Sequence, residues 1–355
     1  MKKKFSIFLA IISILICSVQ VMAVSQYTIT DLGTLGGSVS VAYSINEQLN
    51  VVGYSALSQI RVDHAFLYDG TTMKDLGTLG GSFSWANCIN NNGQIVGYSD
   101  NTGNTNYRAF LYENSVMKDI GTLGGSGAWA RRINDRGQIV GGSNIIDNST
   151  KHAFLYEGTT MTDLGSFGYS SDAACINNAG QVVGDVVNFS GYQRAFLWEN
   201  GAMIDLGSLG RRSVAYGIND SGQVVGWTDI SNTSDTHHAC IWENGVLKVL
   251  GSFYGMDSYA YSINKHGQAV GRAWNSTENH GFLYSDGKMV ELIDLLPAGA
   301  DWNNLDAKDI TDNGHIVGIG YTNGNQPHAF LMTPVPEPTT LSLLGFGLLT
   351  LRRKK

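Results

Sequence analysis

Between the two ends of the chain, apolar and polar residues alternate in short runs, and no apolar period near 3.6 persists. One stretch shows the pattern. Ser84 to Ile89, Gln94 to Tyr98, Arg108 to Tyr112 and Val116 to Ile120 are four strand-sized segments rich in β-branched and aromatic residues. They are separated by Asn90-Asn91-Asn92-Gly93, by a polar loop from Ser99 to Asn106, and by Glu113-Asn114-Ser115. Glycine in the first turn supplies the positive φ of a tight hairpin. The equivalent turn near the start reads Glu47-Gln48-Leu49-Asn50, so Asn50 is expected to take the left-handed position there.

The four-segment unit repeats. An Ile-Asn pair recurs at Ile45, Ile89, Ile133, Ile176, Ile218 and Ile263, with Ile310-Thr311 as a variant, at spacings of 42 to 47 residues. His or Arg before an Ala-Phe-Leu-like run recurs at His64, Arg108, His152, Arg194, His238, His280 and His328. Asp-Leu-Gly or a close relative recurs from Asp31 to Asp205, degrading at Val249 and Glu291. Seven copies of four short antiparallel strands predict an all-β fold, a seven-bladed β-propeller over residues 24–334. The last copy stops after its third strand, Ala329 to Met332, and an unmatched strand, Tyr27 to Leu32, opens the body. That N-terminal strand is expected to complete the last blade and close the ring, removing an exposed edge. A solenoid, the main rival, would need terminal caps that the sequence lacks.

The repeat resembles the HAF family of extracellular repeat proteins, named for His-Ala-Phe. The resemblance implies an extracellular protein and brings no catalytic residue. Residues 1–23 read as a signal peptide: Lys2, Lys3 and Lys4, an apolar run from Phe5 to Cys17, and Val21-Met22-Ala23 at the cleavage position. An uncleaved anchor is the alternative. At the other end Pro336-Glu337-Pro338 precedes a glycine-containing apolar stretch and the basic run from Arg352 and Arg353. This segment, 335–355, resembles the PEP-CTERM sorting signal. The resemblance implies transient membrane contact, an exosortase as processing partner, and release to the cell surface or exopolysaccharide matrix. A plain tail anchor is the alternative reading.

Charge narrows the function further. Of 23 basic residues seven lie in the terminal segments, leaving the body 16 against 29 acidic residues, a net of −13. A body that acidic excludes nucleic acid as a partner. No Cys/His pair has zinc spacing, and no phosphate loop or G-x-S-x-G is present, so neither metal nor cofactor is expected.

A residue repeated seven times reads as scaffold. The His or Arg before Ala-Phe is expected to satisfy polar groups between blades, the Asp of Asp-Leu-Gly among them. Variation concentrates in the loops joining second and third strands, so binding is expected on that face. The residue four before each Ile should stand where the inner strand enters from it. This picks out Trp85, Trp129, Tyr259, Asp172 and Asp306, with Tyr54, Tyr98, Trp227 and Trp302 nearby. Aromatic faces and carboxylates suit sugar rings and hydroxyls, and predict a matrix-binding protein that takes exopolysaccharide. The alternatives are a polysaccharide hydrolase or lyase using Asp172 and Asp306, and a structural protein whose partner is another surface protein.

Overall fold

The computed structural model describes residues 26–58, 62–233, 235–275, 277–322 and 326–336. The predicted signal peptide, and Glu337, Pro338, Arg352 and Arg353 of the sorting motif, lie outside these. Seven four-stranded antiparallel sheets make up the fold. The second is typical: Gly80–Ile89, Ile95–Asn101, Tyr107–Glu113 and Val116–Asp119 in order from the inside outwards. Each sheet's first strand packs on the first strand of the next, and the seventh packs on the first, which closes a circle around a central channel. The last sheet is composite. Tyr27–Asp31 pairs antiparallel with Pro327–Pro334, from Tyr27↔Pro334 to Asp31↔Phe330. The one helical segment among the described residues is a 3-10 turn, Leu292–Leu295, in the link to the seventh blade.

Each inner strand carries a bulge after its buried alanine, as between Ala86 and Cys88 opposite Gly97 and Val96. Beside the bulge, the carbonyl of the residue before the alanine is pressed against the second strand. A Cβ on Gly97 would sit 1.9 Å from the Trp85 carbonyl oxygen. The same approach recurs in every blade, which explains the repeated glycine of the second strand. The cores lie between neighbouring sheets. Ala130, Ile139 and Phe154 of the third blade pack on Val96 and Ala109 of the second. The Phe of Ala-Phe is fully buried in six blades, and Cys240 takes its place in the fifth. The first turn differs from expectation: Leu49, not Asn50, has the left-handed φ of 63°. It occupies the slot that Gly93 fills one blade on, and its side chain packs against the neighbouring core.

Polar side chains tie blade to blade. In the Ile-Asn turns, the Nδ2 of Asn46, Asn90, Asn134, Asn177, Asn219 and Asn264 each donates to the main-chain carbonyl of the next blade's equivalent, at 3.0–3.1 Å. The chain of bonds ends at Thr311, which has no side-chain amide to pass it on. The His and Arg residues before Ala-Phe act within a blade, not between blades as expected. His152 Nδ1 lies 2.8 Å from Asp163 on the adjacent fourth strand, and His328 Nδ1 lies 2.8 Å from Asp31 across the closing strand pair. The aspartate also accepts the amide of the glycine two residues on, as Asp163 does from Gly165, and so fixes the Asp-Leu-Gly turn.

Candidate ligand-binding site at the channel mouth

The bulge decides which side chains face the channel. The extra residue of each inner strand, two before each Ile, turns inward: Tyr43, Asn87, Arg131, Ala174, Tyr216, Tyr261 and Lys308. With Trp85 and Tyr98 they line a cavity of about 320 Å³. Next along each strand comes a tighter ring containing Ser44, Cys88, Arg132, Cys175, Ser262 and Asp309. Here Arg132 Nη1 reaches Asp309 Oδ2 at 3.2 Å, from the third blade to the seventh. Asp309 also accepts Ser44 Oγ, Ser262 Oγ and the Ile45 amide. Arg132 lines the cavities on both sides of this pair, the second formed by the Ile-Asn turns.

One sector of the mouth is aromatic. Trp85 stacks on Tyr54 with centroids 4.7 Å apart at 16°, and tilts against Tyr98 at 5.3 Å. Tyr43 extends the row from Tyr54, and Tyr107 from Tyr98. The registers Val41↔Tyr54 and Trp85↔Tyr98 place these rings side by side at the ends of inner and second strands. Trp85 Nε1 is buried with no hydrogen-bond partner among the described residues. A second aromatic group, Trp227, His237 and Tyr259, lies in the fifth and sixth blades. Burial, then the Asp257 charge, pushes the Tyr259 hydroxyl up to about 12. Trp302 stands apart, edge-on to Phe330 in the core.

The two predicted carboxylates sit behind the lining, not on it. Asp172 is buried and accepts from Arg131 through Nε at 3.3 Å and Nη2 at 3.0 Å, from Lys151 Nζ at 2.8 Å, and from Trp129 Nε1 at 3.3 Å. Burial alone would raise its carboxyl, but the Arg131 and Lys151 charges and hydrogen bonds override it and hold the group below the usual range. Its strand partner Asp185 goes the other way, pushed up by burial and by the Asp172 charge. Asp306 is likewise buried and takes Lys308 Nζ at 2.8 Å and Arg272 Nη1 at 3.2 Å on Oδ2. Its Oδ1 is buried with no hydrogen-bond partner among the described residues. Lys308 in turn lies 4.5 Å from the centroid of Tyr261.

Of the residues singled out from sequence, Trp85 lines the cavity, with Tyr98 and Tyr54 beside it. Trp129 supports Asp172, and Tyr259 packs on His237 and under Arg272. Sequence reasoning missed the bulge ring, above all Arg131 and Lys308. Its signal was present: the position between the repeated Ala and Ile-Asn varies freely among the copies, as an unpacked side chain can.

A closed seven-bladed propeller with an aromatic and cationic mouth is the class of molecule this geometry defines. Residues 334–355 match the PEP-CTERM protein-sorting motif. The motif is a sorting signal recognised by an exosortase, and it marks a secreted protein processed at the cell envelope. No curated protein matches the chain. Among solved structures it is similar to the β-propeller domain of the trilobed protease from Pyrococcus furiosus, at 9% identity and a TM-score of 0.57, covering 88% of this chain and 99% of that one. That domain is described as having an open velcro topology, whereas here Tyr27–Asp31 closes the ring. The chain is also similar to a puromycin-hydrolyzing peptidase of Mycobacterium tuberculosis, at 9% identity and a TM-score of 0.54, covering 88% of this chain. It spans 55% of the peptidase's length. At such identities the likeness is one of fold alone.

Proposed function

We propose that this protein is a non-enzymatic binding module of the cell surface or extracellular matrix, built from HAF-type repeats and released there by exosortase processing, and that it takes a saccharide at the channel mouth. The observation that carries this is the aromatic row Tyr54–Trp85–Tyr98, of which Trp85 and Tyr98 line a cavity together with hydrogen-bonding groups. Aromatic faces cover the C–H faces of sugar rings, and the polar lining meets their hydroxyls. The test is retention of the secreted protein on a panel of immobilised polysaccharides, with Trp85→Ala beside the parent. Retention of the parent and loss in the variant are expected. Retention that Trp85→Ala leaves untouched would move the site elsewhere.

The hydrolase or lyase alternative keeps one supporting feature. Asp172 and Asp185 face each other as strand partners with carboxyls displaced in opposite directions, the division of labour of an acid and a base. Asp172 and Asp306 themselves are each tied to two cations, which suits a structural role better than proton transfer. Turnover of any panel polysaccharide, abolished by Asp185→Asn, would establish catalysis.

A further inference from the structure

The charge at the mouth is opposite to the charge of the body. The body is net negative, yet the cavity lining holds Arg131, Arg132 and Lys308 and no carboxylate. The acids that accompany these cations are not among its lining residues and are buried. Asp172, Asp306 and Asp309 are 5%, 5% and 9% exposed at their side chains, whereas Arg131 is 47% exposed. Two of those acids are outnumbered: Arg131 and Lys151 share Asp172, and Arg272 and Lys308 share Asp306. Each group of three therefore presents a surplus positive charge. Asp185, the strand partner of Asp172 beside the first group, is not part of the cavity lining; burial and then the Asp172 charge push its carboxyl up.

Arg131 has the geometry of a carboxylate receptor. Asp172 occupies one edge of the guanidinium, through Nε and Nη2, and fixes its plane. Nη1 makes no hydrogen bond to the described residues, and Arg131 is one of the residues that line the cavity. A guanidinium held along one edge presents its free N–H groups in a preset direction, which lowers the ordering cost of binding a second oxyanion. In the neighbouring blade Trp85 also lines the cavity, and its Nε1 is a buried donor with no partner among the described residues. Tyr43, Tyr98 and Tyr261 line the same cavity.

We infer that the saccharide taken at the mouth is an acidic one, bearing a carboxylate that pairs with Arg131 while its ring lies on the Trp85–Tyr98 side. This rests on the saccharide reading above and narrows it to uronate-like polymers. It also reconciles an acidic protein with an acidic polymer: the body repels the polymer, and only the mouth attracts it.

The test uses the purified secreted protein with three ligands: oligogalacturonate as the free acid, the same oligomer as its methyl ester, and a neutral glucan of equal length. Binding is followed by calorimetry at low and high salt. The free acid is expected to bind at least about tenfold more tightly than its ester, the size of one charge-assisted hydrogen bond lost, and to weaken as salt rises. Arg131→Gln should erase that preference and Arg131→Lys should keep part of it, with circular dichroism confirming that both fold. Equal binding of acid and ester, or a preference that survives Arg131→Gln, overturns the inference while leaving saccharide binding in place. Binding of none of the three ligands overturns both.

Discussion

Arg132 of the third blade and Asp309 of the seventh meet across the central channel, with 3.2 Å between Nη1 and Oδ2. Their side chains are 17% and 9% exposed, and the sequence separates them by 177 residues. The aspartate collects two serine hydroxyls and a main-chain amide besides the guanidinium, so its oxygens are well satisfied. Burial opposes the Arg132 charge, and Asp309 overrides it, holding the guanidinium protonated. The pair is thus a strut between nearly opposite blades.

Breaking that strut on one side should be costly. Arg132→Met strands a buried carboxylate and is expected to lower unfolding free energy by about 3–5 kcal/mol. Replacing both partners, as Arg132→Met with Asp309→Leu, should recover most of the loss. Urea denaturation of the two single variants and the double variant checks this. A double variant as unstable as the sum of the singles would refute the coupling.

The bulge makes a sharper claim about glycine. A Cβ at Gly97 meets the Trp85 carbonyl at 1.9 Å, a backbone atom that cannot step aside. Gly97→Ala is expected to cost about 3 kcal/mol or more. Gly121 has a φ of 92° and open space around it, so Gly121→Ala should cost only the left-handed strain, about 1–2 kcal/mol. Thermal midpoints of the two variants should rank in that order.

The interrupted asparagine circle predicts a stabilising change. Asn264 donates to the Thr311 carbonyl, and nothing at 311 donates onward to Asn46. Thr311→Asn would supply the missing Nδ2 at a site where six equivalents fit. It should add about 0.5–1.5 kcal/mol, the net worth of one hydrogen bond. An unchanged or lower denaturation midpoint would count against the circle as a stabilising element.

Closure by the N-terminal strand predicts a loss. Without residues 24–31, the strand Pro327–Pro334 becomes an exposed edge and His328 loses Asp31. Such a truncation should melt earlier and scatter light in proportion to concentration, because open edges pair with one another. A truncated protein as stable and monodisperse as the parent would mean the latch is dispensable.

The Asp172 cluster gives a pH signature. Its folded carboxyl lies below the ordinary value near 3.9. The stabilisation it brings is therefore complete above that value and is lost as pH falls through the lower folded one. Asp185, pushed up, acts in the opposite sense, so the reading comes from comparison with Asp172→Asn. The stability gap between parent and variant should be widest near pH 7 and narrow below about pH 4. A gap independent of pH would remove the ion pairs as its source.

The sequence by itself determined the number of blades, the order of strands within them and the closing strand pair. These follow from local alternation and from a repeat that any segment can be compared with. It also marked Trp85 and Tyr98 as mouth residues, since strand ends can be counted from the Ile-Asn pair. Only the tertiary structure decided which side chains face the channel. The bulge after the repeated alanine shifts the pleat of each inner strand by one residue, and alternation cannot register it. Nor could the sequence pair Arg132 with Asp309, or set two cations on each of Asp172 and Asp306. These contacts depend on distances between blades far apart in the chain, and they turned an expected mouth of aromatics and two carboxylates into one lined by aromatics and cations.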